Sequence, residues 1–188
     1  MFNKEPIMIL PHHIHKIWGK YTKIGRKKEK IGETILFSEN SIFSLRSGEK
    51  IKCKSLFNLQ SDFFSDFKTI PFIIKKITTT QPLSIQVHPF SPVNIKNDPY
   101  FRKDETWIIL KHKQHSRLML GTKKVLNKNT LISSKNYTNY FNLYKIQDFN
   151  MVHIPAGLAH SIGKNITLIE IQTNNSTTFR FFDFERKR

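Results

Sequence analysis

The chain has one cysteine, Cys53, in 188 residues, which excludes an internal disulfide framework and points to a reducing compartment, the cytoplasm. No apolar run approaches the roughly 18 residues that a membrane span needs, so no membrane partner is expected. The N-terminal stretch has only a short apolar patch before Pro11 and His12, too interrupted for a signal peptide. Acidic residues are scarce, 14 against 31 Lys and Arg, giving a formal net charge of +17. Such an excess resembles a nucleic-acid signature, but the lysines are spread along the whole chain amid abundant Asn, Ile and Phe, the mixture an AT-rich coding bias gives. No zinc finger, helix-turn-helix or RNP motif accompanies them, so nucleic acid is not expected as a partner; a basic β-barrel binding DNA or RNA would need cations and stacking aromatics on one face. A positive field also steers small anionic ligands. There is no internal repeat and no Gly/Ser linker, and the mean hydropathy is −0.42. Together these predict one soluble globular domain over residues 1–188.

What is present is a series of short β-branched and aromatic segments separated by Gly, Pro, Asn and Asp. The pattern predicts strands at 34–37, 41–47, 70–77, 83–88, 105–112, 151–154, 160–162, 167–172 and 178–184. Helices are expected only over 55–67 and 134–143, the second capped by Ser133 or Ser134. Residues 111–150, rich in Lys, Asn and Ser, read as the most exposed part. The expected fold class is all-β, an antiparallel β-barrel with a few short helices.

Alternation then places chemistry on particular faces. Ser84, Gln86 and His88 share one face of a strand whose other face carries Ile85 and Val87. Lys103, Glu105 and Trp107 share a face, as do Glu170 and Gln172, and Arg180 lies opposite Phe179 and Phe181. Inward charges are costly unless paired, so these residues need a metal, a ligand or one another. Gln86, His88, Glu105 and His160 form an N/O donor set that suits Zn²⁺, with Pro155-Ala156-Gly157 as the tight turn delivering His160. Each of them taken alone reads more simply as a surface or hydrogen-bonded residue of a β-protein. The His12-His13-x-His15 cluster looks more metal-like in sequence but sits near the terminus before an expected turn, and is set aside.

These segments, in this order, resemble the type I mannose-6-phosphate isomerases, zinc enzymes of the cupin superfamily. The resemblance is carried by Lys16-Ile17-Trp18-Gly19, Ile31-Gly32-Glu33, Pro71-Phe72-Ile73-Ile74-Lys75, Leu83 to Pro89, Lys103 to Trp107, Ile154-Pro155-Ala156-Gly157 with His160, and Glu170-Ile171-Gln172 followed by 177–186. It implies a cupin-type jelly roll, one Zn²⁺ per chain held by Gln86, His88, Glu105 and His160, and catalytic roles for Arg180, Glu170 and Lys103. It further implies substrate contacts, to the phosphate, from Ser84 and Lys75. The implied reaction is the reversible interconversion of mannose 6-phosphate and fructose 6-phosphate, with a phosphorylated hexose as the substrate. The residues alone do not choose the proton-transfer base, and a metal-binding cupin that holds a sugar phosphate without turnover is the alternative reading. The chain departs from the family pattern in several places. Phe90-Ser91 replace two aspartates, Ser176 replaces an acidic residue, and the sequence is a short form that ends before the further C-terminal β-domain of most members. Phe90 and other exposed aromatics are accordingly expected to provide a homo-oligomer surface.

Overall fold

The computed structural model describes residues 7–55, 70–90, 93–95, 98–100, 102–125 and 137–186. Two antiparallel sheets carry the architecture. The larger has six strands in the order β13 (Met151–Ile154), β10 (Glu105–His112), β15 (Ile166–Thr173), β6 (Phe72–Thr78), β3 (Lys27–Phe37), β2 (His12–Ile24). The smaller has five, in the order β12 (Phe141–Lys145), β11 (Arg117–Thr122), β14 (His160–Ile162), β7 (Ile85–Val87), β16 (Phe179–Phe182). Short sheets β1 (Met8–Leu10), β4 (Ile42–Ser44), β5 (Lys50–Lys52) and β8 (Val93–Ile95), β9 (Asp98–Tyr100) complete the set among the described residues. No helix among the described residues is long and apolar enough to cross a membrane.

The two sheets enclose one core. Trp18, Ile77, Trp107, Ile109, Ile154, Ile166 and Leu168 come from the larger sheet and meet Leu118 and Ile162 of the smaller. Both faces of the smaller sheet are covered, because Met119, Ile85 and Phe141 form a second cluster with Phe182 and Phe184. The period-2 pattern explains the placement. Along β10 the residues Glu105, Trp107 and Ile109 are buried while Thr106, Ile108 and Leu110 are only half-covered. β15 repeats this with Ile166, Leu168, Glu170 and Gln172 buried.

Strands β10, β13 and β14 run where the alternation predicts them. Three expectations are overturned. The helix expected over 134–143 is a short 3₁₀ turn at Tyr137–Tyr140 followed by β12, whose Phe141 is completely buried; a β-branched-poor, polar strand lacked the signal that separates strand from helix. Residues 126–136 lie outside the described residues, as does the helix expected at 55–67 apart from its first residue, Ser55. The 111–150 stretch is not uniformly exposed, since Leu118, Met119, Phe141 and Ile146 are core residues. Finally, His12, His13 and His15 precede no turn: they sit on the 13-residue β2, an edge strand whose polar content hid it.

β2 contains the feature that shapes one wall of the site. Both His15 and Lys20 pair with Ile31, so residues 16–19 bulge out of the ladder with β3. The bulge buries Trp18, and its carbonyl accepts bonds from the Thr80 backbone N–H (2.8 Å) and Oγ1 (3.1 Å). Glycine is required on both sides of it. A Cβ on Gly32 would fall 2.5 Å from the Lys16 Cβ and 2.6 Å from the Trp18 ring, and one on Gly19 would strike the Ile31 backbone. Gly19→Ala is therefore expected to lower stability by about 1–3 kcal/mol, as overpacking does. An unchanged denaturation midpoint would show that the bulge relaxes freely.

Candidate active site

The inward face of the larger sheet sets out one half of the site by register alone. Trp107, Glu170 and Lys75 form one cross-strand row, and Glu105, Gln172 and Ile73 the next. The smaller sheet supplies the other half, with Gln86 paired to His160 on one side and Arg180 on the other. His88 follows β7 directly. His160 opens β14 after a turn in which Gly157 adopts φ +85° and donates its N–H to the His88 carbonyl at 2.9 Å. Asp104 fixes that turn from the opposite sheet, its Oδ1 accepting the Ala156 N–H at 2.8 Å.

His88, Glu105 and His160 converge, their donor atoms all within 4.8 Å of one another, and each is at most 2% exposed. Hydrogen bonding fixes the state of both imidazoles. His88 Nδ1 lies 3.1 Å from the Thr177 carbonyl and His160 Nδ1 lies 2.8 Å from the Leu158 carbonyl. A carbonyl oxygen only accepts, so each Nδ1 carries a proton, and in the neutral ring Nε2 is then the atom with the lone pair. His88 Nε2 sits 2.9 Å from Glu105 Oε1, yet off the direction of a hydrogen bond, and has no other partner. Gln86 completes the group, its amide nitrogen 3.2 Å from His160 Nε2 and its oxygen accepting from the Ser84 hydroxyl at 3.3 Å. The two amide positions interchange by rotation, which turns the oxygen toward the imidazoles.

Two lone pairs and a carboxylate facing one another in a dry space repel unless a cation lies between them. Proton uptake is a poor answer at His160, whose pKa burial pushes down to about 4 even though Glu105 opposes the shift. Glu105 remains ionised. Burial works against its charge, but its cationic surroundings, the Lys103 ammonium at 3.0 Å among them, hold the carboxyl well below its usual range. The donors present fit a divalent metal of borderline hardness.

Beside this cluster lies a cavity of about 510 Å³, lined by Ser84, Lys75, Lys103, Glu170 and Arg180 among others. All nine residues singled out in the sequence thus fall at one place. Lys75 is largely enclosed, and its Nζ donates to Glu170 (3.1 Å) and to Gln172 (2.6 Å). Glu170 accordingly takes an ion pair from Lys75. Lys103 is 4% exposed and bonds Glu105 at 3.0 Å. Burial first, and the Glu105 charge second, raise the Glu170 carboxyl to about 7 against the opposing pull of Lys75.

Sequence reasoning missed several participants. Trp107 Nε1 lies 3.1 Å from Glu105 Oε2 and 3.2 Å from Glu170 Oε2, so a single N–H spans the two carboxylates. Its place on the Lys103–Glu105 face was the available signal. Gln172 was placed on the Glu170 face without a role. The Thr177 and Leu158 carbonyls had no signal, since backbone groups carry none.

No protein-family model matches the chain. Among curated proteins it is 31% identical over 122 residues to the Bacillus subtilis mannose-6-phosphate isomerase ManA, covering 62% of this chain and 38% of that protein. The crystal structure of a mannose 6-phosphate isomerase from Bacillus subtilis superposes with a TM-score of 0.82 at 22% identity, covering 97% of this chain and 63% of that one. A zinc-bound mannose 6-phosphate isomerase structure superposes at 0.72 with 13% identity, over 95% of this chain and 71% of that one. The chain thus spans less than two thirds of the length of either Bacillus subtilis protein. The β-sheet architecture is the cupin jelly roll of these structures, and in sequence the chain is similar to curated mannose-6-phosphate isomerases over part of their length.

Proposed function

We propose that this chain is the catalytic module, residues 1–188, of a zinc-dependent aldose–ketose isomerase that interconverts mannose 6-phosphate and fructose 6-phosphate. One observation carries the reading: two buried imidazoles turn their Nε2 atoms, that of His88 without a hydrogen-bond partner, toward an ionised Glu105 at the wall of a cavity that also holds a carboxyl of raised pKa. Gln86, His88, Glu105 and His160 would hold the ion. When bound it would supply Lewis-acid stabilisation of the oxyanion that forms as the C1–C2 unit of the sugar passes through its enediolate. The zinc-bound relative supports the choice of metal.

The chain's own groups account for the rest. Isomerisation removes a proton from one of the two carbons and returns it to the other. Glu170 is positioned to carry it, and a carboxyl poised near neutrality is suited to both halves of the transfer. Lys75 orients Glu170 and favours its ionised form. Lys103 sets the charge of Glu105, and Arg180 lines the cavity as a fixed donor for developing negative charge. Ser84 and Lys75 are the phosphate contacts in this reading, in a cavity whose cations favour an anionic hexose. Self-association through Phe90, 71% exposed, and residence in the cytoplasm belong to the same proposal.

Three outcomes are expected in a coupled assay of mannose 6-phosphate conversion. His88→Ala or His160→Ala loses both bound zinc and turnover; a pure variant with full zinc content would refute the donor set. Arg180→Ala keeps its zinc but loses about 10²-fold or more in kcat, as removal of a transition-state donor does, and near wild-type turnover would remove it from the mechanism. Glu170 must be ionised to accept a proton, so kcat/KM falls as pH drops through its pKa. Lys75→Met deletes a cation that lowers that pKa, so the acid limb moves to higher pH. A limb that stays in place would assign it to another group.

A further inference from the structure

We propose that Gln172 and Asn175 form a positioning clamp that sets the tautomer and the aim of His88, and that the clamp links this donor to the Lys75–Glu170 pair. The proposal rests on the zinc reading above only for its affinity arm.

After β15 ends at Thr173, three bonds anchor the chain: Thr173 N–H to the Asp104 carbonyl (3.0 Å), Asn174 N–H to the Pro71 carbonyl (2.8 Å) and Asn174 Nδ2 to the Ile70 carbonyl (2.9 Å). Asn175, 3% exposed, then closes a side-chain turn in which its Oδ1 accepts the Thr177 N–H at 2.7 Å. That bond fixes the Thr177 peptide, whose carbonyl accepts His88 Nδ1–H at 3.1 Å. Gln172, equally buried, holds the turn from inside. Its Nε2 donates to the Asn175 carbonyl (3.0 Å) and the Thr173 carbonyl (3.2 Å), and its Oε1 accepts Lys75 Nζ at 2.6 Å. Four hydrogen bonds in series thus run from Lys75 through Gln172, Asn175 and Thr177 to the imidazole.

The partner of an imidazole's second nitrogen decides which nitrogen keeps the lone pair and where it points. His160 obtains this locally, from Leu158 two residues away. His88 obtains it from a segment 89 residues distant in the chain, and only if that segment holds its shape. The asymmetry supplies an internal control: weakening the clamp disturbs His88 and spares His160.

The full chain, labelled with ¹⁵N-histidine, is examined without metal by long-range ¹⁵N–¹H NMR, and zinc affinity is then measured by competition with a chelator. Wild type should show both His88 and His160 protonated at Nδ1. Asn175→Ala should give a mixed tautomer at His88 alone, with zinc affinity about 10–100-fold weaker. Asn175→Asp keeps the acceptor oxygen and should restore both. Gln172→Glu keeps the acceptor for Lys75 but cannot donate to the Asn175 carbonyl, and should shift His88 in the same direction as Asn175→Ala. Folded Asn175→Ala with wild-type His88 signals and zinc affinity would overturn the clamp. Should Asn175→Ala fail to fold, an unmoved His88 in Gln172→Glu would overturn it equally. Wild-type protein that binds no zinc would refute the metal reading alone, because the tautomer comparison is made on the metal-free chain.

Discussion

The donation of two Nδ1 protons to backbone carbonyls is the constraint on which the rest of this site depends. It leaves two Nε2 lone pairs in a dry space against an ionised Glu105. A hydrophobic core gains nothing from such a cluster, and three like-polarised groups in contact work against folding. The arrangement makes physical sense as a receptor for a cation. The surrounding architecture holds the cluster in place residue by residue. A left-handed glycine turns the chain toward His160, Asp104 ties that turn to the opposite sheet, and the paired cross-strand rows of β10, β15 and β6 hold the carboxylates at fixed separation.

Charge balance links the cluster to the cavity beside it. The enclosed side chains pair Lys75 with Glu170 and Lys103 with Glu105, so that each carboxyl has one cation beside it. A divalent ion added to this set leaves an excess of positive charge next to a cavity whose wall already includes Arg180. Such a space favours an anionic ligand. It also makes the burial of Glu170 tolerable, since Trp107 shares one N–H between the two carboxylates while Lys75 and Lys103 each neutralise one of them. The net charge of +17 over the whole chain is a separate matter, spread over the exterior, with β2 and β3 bearing many of its lysines.

Much of this was legible in the sequence, for a definite reason. Strands that bury one face write their environment into every second residue, so Glu105 with Trp107 and Glu170 with Gln172 declared a polar interior before any coordinates. The ordered motifs then located all nine candidate residues. Pairing was not legible. Which carboxylate Lys75 meets follows from the register of β6 against β15, a long-range fact that no local pattern encodes. Strands β2 and β12 went unread because edge strands with polar faces lack alternation, and β12 still buries Phe141 completely. The second partners of the imidazoles are backbone carbonyls of Thr177 and Leu158, and these have no signature in side-chain identity.

The central claim is that these side chains hold a single zinc ion through nitrogen and oxygen donors alone. X-ray absorption at the zinc edge, on the chain loaded with one equivalent of metal, tests it most directly. The account predicts two imidazole shells and oxygen donors at about 2.0–2.2 Å, with no sulfur. A sulfur shell, a single imidazole, or an ion surrounded only by water would contradict it.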